Sequence, residues 1–273
     1  MNIQEKFSLK DKVIVVTGGT GILGRSFVEA VAEAGAKVAI IGRDFKRGME
    51  RVEKVKELGS DALFIQADVL NEGQLLSARQ EVLDRWDTID GLVNAAGGNV
   101  PNGTIGPNQD LFNSDLSGTF NAIDLNLKGT MLPTHVFGKV IADRGVGSII
   151  NVASLASQVA LTRVLGYTVA KSGIVGYTKW MATELALRYN NRIRVNAIAP
   201  GVFLTEQNRE LLTNSDSSYT ERGNQFIQNT PARRFGSPEE LGGLLVFLLS
   251  EAASFVNGET IYVDGGFTAW SGV

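Results

Sequence analysis

Cysteine is absent from the 273 residues, and histidine occurs once. Without cysteine there is neither a disulfide framework nor a thiolate metal site. The lone His135, in the apolar run MLPTHVFGKVI, has no second histidine to complete a metal site and reads as a structural side chain. No metal is therefore expected. A surplus of one charge sign is also missing: the net charge is −3 and no lysine- or arginine-rich block occurs, which excludes the electrostatic footprint of a nucleic-acid binder. No apolar run approaches the ~18 residues of a membrane span, the longest candidate being GGLLVFLLS at 242–250. The opening MNIQEKFSLKDK lacks the hydrophobic stretch of a secretory leader, so a soluble, cytoplasmic protein is expected.

What is present is an ordinary globular balance, 44% hydrophobic and 20% charged, with 31 glycines, well above the usual share of about 7%. Short β-branched runs alternate with segments of helical period. The strand runs are KVIVVT (12–17), KVAIIG (37–42), ALFIQADV (62–69), GLVNAAG (91–97), GSIINVAS (147–154), RIRVNAIAP (192–200) and ETIYVDG (259–265). Helical patterns cover 22–35, 45–58, 72–86, 115–142, 167–189 and 238–250. Continuous apolar strands separated by helices predict a Rossmann-like, doubly wound α/β sheet of about seven parallel strands with helices on both faces. Ligands bind at the carboxyl ends of such strands. No linker or repeat breaks the chain, so one domain over 1–273 is expected. The stretch 203–235, rich in Asn, Thr, Arg and Ser, has no strong period and is expected to be a loop serving as a substrate lid.

TGGTGILG (17–24) falls where the first strand passes into the first long helix. Glycines at such a turn allow positive φ and close backbone approach to a pyrophosphate, while the helix start offers free N–H groups and the positive end of its dipole. Gly18, Thr20, Gly21, Ile22 and Gly24 are the candidate cofactor contacts there. The second strand ends in IIGRD, where an acidic residue would suit the ribose of NAD and an arginine the extra phosphate of NADP. Arg43 tips the expectation toward NADP(H), with Asp44 left as the NAD alternative.

GYTVAK (166–171) sets Tyr167 and Lys171 four positions apart, on one face of a predicted helix. A phenol with its ordinary pKa near 10 exchanges protons poorly at neutral pH, and a neighbouring ammonium favours the phenolate. Bringing that pKa down to ~7 requires roughly 4 kcal/mol of differential stabilisation. Tyr167 is thus the candidate proton carrier, with Lys171 expected to lower its pKa. Ser154 lies thirteen residues before Tyr167, at the end of GSIINVAS, and Asn126 lies twenty-eight before Ser154 in DLNLKGT.

On these residues the chain resembles the short-chain dehydrogenase/reductase family over nearly its whole length. The family's Asn–Ser–Tyr–Lys tetrad falls on Asn126, Ser154, Tyr167 and Lys171. Its Asp–Val pair against the adenine matches Asp68 and Val69, and its NAG segment matches Asn94, Ala96 and Gly97, with Ala95 between. Its PGxxxT element matches Pro200, Gly201 and Thr205, and VDGG at 263–266 matches its C-terminal signature. The glycine turn departs from the TGxxxGxG of the family's shorter members, which leaves open which glycine faces the pyrophosphate. The resemblance implies reversible hydride transfer between NAD(P) and a carbonyl carbon. Tyr167 would move the proton, Ser154 would bond the reacting oxygen, Lys171 would hold the nicotinamide ribose and Asn126 would place a relaying water.

The stretches NAAGGNVPNGT, GTMLPTHVFGK, APGVFLTEQNRELLT, RGNQFIQNTPARRFGSPEEL and DGGFTAWSGV further resemble bacterial short-chain oxidoreductases that interconvert D-mannonate and D-fructuronate. A small hydroxy or keto sugar acid is therefore the expected partner, needing a cation for its carboxylate and polar groups for its hydroxyls. Asn99, Arg163, Asn208 and Arg209, with Ser154, are the candidate substrate residues, and Arg233 and Arg234 are read as lid anchors or partners of Glu239 and Glu240. Rival readings are another polyol or ketogluconate dehydrogenase, a 3-oxoacyl thioester reductase, or a cofactor-sensing or scaffold protein; the complete tetrad argues against the last. Family members often use the C-terminal region in tetramer contacts, so a homo-oligomer, tetramer or dimer, is expected, with Trp270 reaching a neighbouring subunit.

Overall fold

Val and Ile dominate the strand runs, and their branched side chains suit a pleated surface covered on both sides. In the computed structural model, which describes residues 2–272 apart from the side chains of Pro101, Glu206 and Gln207, these runs form β1 (Val13–Thr17), β2 (Lys37–Gly42), β3 (Ala62–Gln66), β4 (Gly91–Asn94), β5 (Gly147–Val152), β6 (Ile193–Pro200) and β7 (Thr260–Val263). All pair in parallel in the order β3-β2-β1-β4-β5-β6-β7. The predicted doubly wound sheet is thus present, and its order reverses between β1 and β4, where a crevice opens at the strands' carboxyl ends.

The helices are α1 (Ile3–Phe7), α2 (Ile22–Glu33), α3 (Phe45–Glu57), α4 (Glu72–Trp86), α5 (Ser117–Ile123), α6 (Gly129–Arg144), α7 (Leu165–Arg188), α8 (Glu206–Leu212), α9 (Glu221–Gln228) and α10 (Gly242–Leu249). Alternate strand residues feed two separate cores, as a period of two requires. Ile14, Val16, Ile40, Val93, Ile150 and Ile198 pack with Phe27 and Val31 of α2 and Leu245 and Leu248 of α10. Val13, Val15, Ile41, Leu92, Ile149 and Val195 pack on the other face with Val82 of α4, Phe137 and Ile141 of α6 and Leu185 of α7.

Three elements differ from expectation. The N-terminal segment, to which no element was assigned from the sequence, forms α1 because Asn2 and Glu5 cap each other's backbone N–H groups. The single helix expected over 115–142 is broken by a π turn at Asp124–Lys128, where Asn126 donates its amide back to the Ala122 carbonyl. The expected loop at 203–235 contains α8 and α9, and a bridge between Phe203 and Gly236 closes its base. Each helix there has a capping residue, Thr205 for α8 and Thr220 for α9, a local signal that outweighs the weak apolar period.

Candidate active site

Four strands deliver their ends to one place. The turn after β1 bends at Gly18, whose φ of +67° suits glycine, and a Cβ there would lie 2.6 Å from the Ala96 backbone. Gly24 lets α2 sit on the turn, since its Cβ would stand 2.1 Å from the Gly18 carbonyl oxygen. Gly21 is left exposed at the mouth as the N-cap of α2, and no side chain caps that helix start. Thr20 packs on Gly42 at the end of β2, where a Cβ would lie 2.6 Å from its hydroxyl oxygen. A backbone shelf with uncapped amide groups suits a pyrophosphate, so the residues present fit a dinucleotide.

Arg43 follows Gly42 and is exposed, its carbonyl held by the Gln66 side chain at 2.8 Å. Asp44 instead serves α3: its carboxylate accepts the Arg47 N–H at 3.0 Å as the N-cap. The NAD alternative based on Asp44 thus meets a carboxylate already engaged. Past β3, the Asp68 carboxylate accepts the Leu70 N–H at 2.9 Å and Val69 is buried.

Asn94, at the end of β4, spends its amide inside the fold, donating to Thr134 at 2.8 Å and Asn151 at 2.9 Å. Its side chain braces the strand ends beneath the crevice. Ala95, Ala96 and Gly97 continue into the crevice, and Gly98 is gripped by Asn126. The Gly98 N–H donates to Asn126 Oδ1 at 2.9 Å, and Asn126 Nδ2 donates to the Gly98 carbonyl at 2.8 Å. Asn126 is fully buried, and a Cβ on Gly97 would approach its Oδ1 at 2.6 Å and Lys171 Nζ at 3.5 Å.

Ser154, buried two residues beyond β5, caps a short 3₁₀ turn at Leu155–Ser157, its hydroxyl oxygen accepting the Ala156 N–H at 3.2 Å. Tyr167 enters from the first turn of α7, is half-buried, and brings its phenol beside the Ser154 hydroxyl. Lys171, one turn on, is buried and donates from Nζ to the Val152 carbonyl at 2.7 Å. That ammonium lies 5.5 Å from the centre of the Tyr167 ring. Asn126, Ser154, Tyr167 and Lys171 are therefore brought together beside the glycine turn.

The electrostatics correct one expectation. Burial pushes the Tyr167 phenol above its ordinary pKa, with only the Ser154 hydrogen bond pulling it back. Burial also pushes the Lys171 ammonium down to about 7. Desolvation of both groups outweighs the expected lowering of the phenol by the lysine. The side chain that favours the phenolate here is Ser154.

The substrate candidates divide. Asn99 is exposed next to Gly98, at the rim beside Asn126. Arg163 stands two residues before α7, its carbonyl accepting the Ile105 N–H at 2.8 Å. Arg209 is exposed on α8. Asn208 is a correction: its carbonyl oxygen accepts the Thr205 N–H at 2.7 Å and its amide donates to the Phe203 carbonyl at 2.8 Å, so both ends build the start of α8. Pro200 and Gly201 end β6 against Val263, the Gly201 N–H donating to the Val263 carbonyl at 2.8 Å. Arg234 pairs with Glu240 at 2.6 Å, and Arg233 lies over the Trp270 ring at 5.4 Å, so Trp270 packs against its own chain. His135 is exposed on α6, not packed as expected, and among the described residues no three His, Cys, Asp or Glu side chains gather to hold a metal ion. Likewise no described helix is long and apolar enough to cross a membrane. Sequence reasoning passed over Arg222, which sits half-buried on α9 with its guanidinium 5.4 Å from the centre of the Phe226 ring; a single arginine in TERGNQFIQ carries no motif.

Known proteins share this arrangement of chain. A family profile described as enoyl-(acyl carrier protein) reductase matches residues 20–268. An uncharacterized oxidoreductase of Bacillus subtilis (strain 168), UxuB, is 39% identical over 97% of this chain and 98% of its own. A crystal structure from Haemophilus influenza, provisionally named a D-mannonate oxidoreductase and holding NAD, is 35% identical and superposes with a TM-score of 0.90, covering 100% of both chains. A gluconate 5-dehydrogenase from Burkholderia cenocepacia J2315, in complex with NADP and tartrate, is 31% identical with a TM-score of 0.86, covering 99% of this chain and 100% of its own.

Proposed function

The chain belongs to the short-chain dehydrogenase/reductase family of NAD(P)-dependent oxidoreductases acting on CH–OH groups, and on that premise we propose that it interconverts a keto-sugar acid and its aldonic acid, of the D-fructuronate/D-mannonate type. The observation that carries the chemistry is the meeting of the Ser154 hydroxyl and the Tyr167 phenol at the end of β5, with Lys171 and Asn126 around them.

A bound nicotinamide supplies or accepts the hydride at the carbonyl carbon. Gly18, Thr20, Gly21, Ile22 and Gly24 hold the pyrophosphate, with Gly21 at the mouth as the glycine that faces it. Asp68 and Val69 take the adenine side, Ala95 and Gly97 line the crevice, Pro200, Gly201 and Thr205 close it beyond β6, and Arg43 favours NADP(H). Tyr167, kept protonated by burial, gives its proton to the carbonyl oxygen as the alcohol forms, and in the reverse direction its phenolate takes the hydroxyl proton. Ser154 donates to the same oxygen and stabilises charge developing there. Lys171 binds the ribose, and Asn126, which holds Gly98 and the crevice wall, places the water through which the phenol regains its proton.

The sugar-acid assignment draws on the names of the Haemophilus and Burkholderia proteins and on the arginines beside α7 and on α8. Another ketogluconate dehydrogenase is a second reading favoured by the Burkholderia likeness. We take the chain as one catalytic domain in which 203–235, closed at its base by the Phe203–Gly236 bridge, is the substrate lid. Exposed Trp180 and Leu187, seven residues apart on one face of α7, support a homo-oligomer, dimer or tetramer. The test is loss of reduced-cofactor absorbance with NADH and NADPH against fructuronate, fructose, ketogluconates and a 3-oxoacyl thioester. Turnover of fructuronate far above fructose is the expected result; preference for the thioester would replace the sugar-acid reading.

A further inference from the structure

The 3₁₀ turn that follows Ser154 is closed by its own backbone, the Ser157 N–H donating to the Ser154 carbonyl at 2.9 Å. A second bond falls on the same oxygen, since the Ser157 hydroxyl donates to the Ser154 carbonyl at 2.6 Å. A serine hydroxyl has one hydrogen, and here it is spent on Ser154. The Tyr262 phenol, 3.2 Å from Ser157 Oγ, is therefore the donor of the bond between those two side chains. A chain of hydroxyls thus runs from Tyr262 through Ser157 to the Ser154 backbone.

Tyr262 belongs to β7, the edge strand of the sheet, and meets Ser157 across 105 positions of sequence. Its ring packs against a small cluster of Ala153, Ala197 and Ala199 with Ile174 of α7. Ala153 immediately precedes Ser154, and Ile174 lies seven residues after Tyr167 on α7. Local bonds already close the turn, so the long-range anchor is not needed to form it. What the anchor adds is a fixed direction. The Ser154 hydroxyl oxygen accepts the Ala156 N–H at 3.2 Å, which leaves its own hydrogen to donate. Where that hydrogen points depends on the backbone that Ser157 holds. A donor slightly out of place loses much of its hold on charge developing in a transition state.

We propose that Tyr262 is a positioning residue for the reaction: acting through Ser157, its phenol fixes the Ser154 backbone so that the Ser154 hydroxyl meets the reacting oxygen. This role rests on the reading of Ser154 as a donor to that oxygen, and it extends the working site to the edge strand β7.

The test is a mutant cycle on whichever sugar acid, ketose or thioester the wild type turns over best, with kcat, KM, cofactor affinity and melting temperature measured for each protein. Tyr262→Phe removes one oxygen, and Ser157→Ala removes the whole link. Each should lower kcat by about 2- to 10-fold, the effect of a lost hydrogen bond, with KM and cofactor affinity near wild type. In a Ser154→Ala background neither change should lower kcat further, because both act only through that hydroxyl. Should Tyr262→Phe fail to fold, Ser157→Ala carries the same cycle. A fall in kcat by the same factor in both backgrounds marks a merely structural role and overturns the proposal. Unchanged kcat in both single variants, with Ser154→Ala strongly impaired, also overturns it and leaves the catalytic reading of Ser154 intact. Full activity in Ser154→Ala brings down that reading and the positioning role with it.

Discussion

The Tyr167 phenol stands beside the Ser154 hydroxyl across the junction between β5 and α7, although thirteen residues separate them along the chain. Their contact is made by the 3₁₀ turn at Leu155–Ser157, which folds the chain back so that the first turn of α7 returns to the strand end.

Removing one oxygen from that pair should separate chemistry from folding. Tyr167→Phe is expected to lower kcat by about 10²- to 10⁴-fold while leaving cofactor affinity and the melting temperature close to wild type. Ser154→Ala should cost about 10²- to 10³-fold and a little stability, because the same hydroxyl caps the Ala156 N–H. Undiminished turnover in Tyr167→Phe would remove the phenol from the mechanism.

Lys171 makes stability depend on pH. Its folded pKa of about 7 lies below the ordinary value of 10.5, so the unfolded chain binds the extra proton between those limits. The penalty is complete below pH 7 and is relieved as pH rises toward 10.5. Between pH 7 and 9, wild type should gain on the order of 2 kcal/mol relative to Lys171→Met. Denaturant titrations at both pH values check this, and parallel behaviour of the two proteins would contradict it.

Cofactor choice should follow Arg43 and ignore Asp44. Arg43→Ala is expected to reduce the preference for NADP over NAD by about 10-fold or more, through loss of a charge-assisted bond. Asp44→Ala should cost about 0.5–2 kcal/mol of stability as a lost N-cap, with the preference unchanged. Kinetics with both cofactors, paired with melting curves, separates the two effects.

The glycine turn has no room for a methyl group at its tightest point. Gly24→Ala, with its Cβ directed at the Gly18 carbonyl, should destabilise by about 1–3 kcal/mol and weaken cofactor binding. Gly243→Ala on α10, where nothing lies within 4 Å, is the control and should be neutral or slightly stabilising. Equal melting temperatures for the two variants would show that the turn yields.

Element positions were legible because they are local. The strand runs and most helices follow from β-branching and apolar period, and the two cores follow from alternation along buried strands such as VIVVT. Where the local signal is a cap and not a period, as at Thr205 and Thr220, the pattern of apolar residues alone missed α8 and α9. The π turn was invisible because it depends on where Asn126 reaches, across to Gly98.

The order of residues along the chain was enough to determine the parallel sheet and the glycine turn, since each rests on patterns within a strand, turn or helix, while the tetrad, spread over three elements, was legible through its resemblance to a known family. Only the tertiary structure decided which polar groups were free to act. Asn94, Asn208 and Asp44 bond their own backbone or core neighbours, and Lys171 loses its hydration. Burial and charge act through space, and chain order does not specify the distances on which they depend.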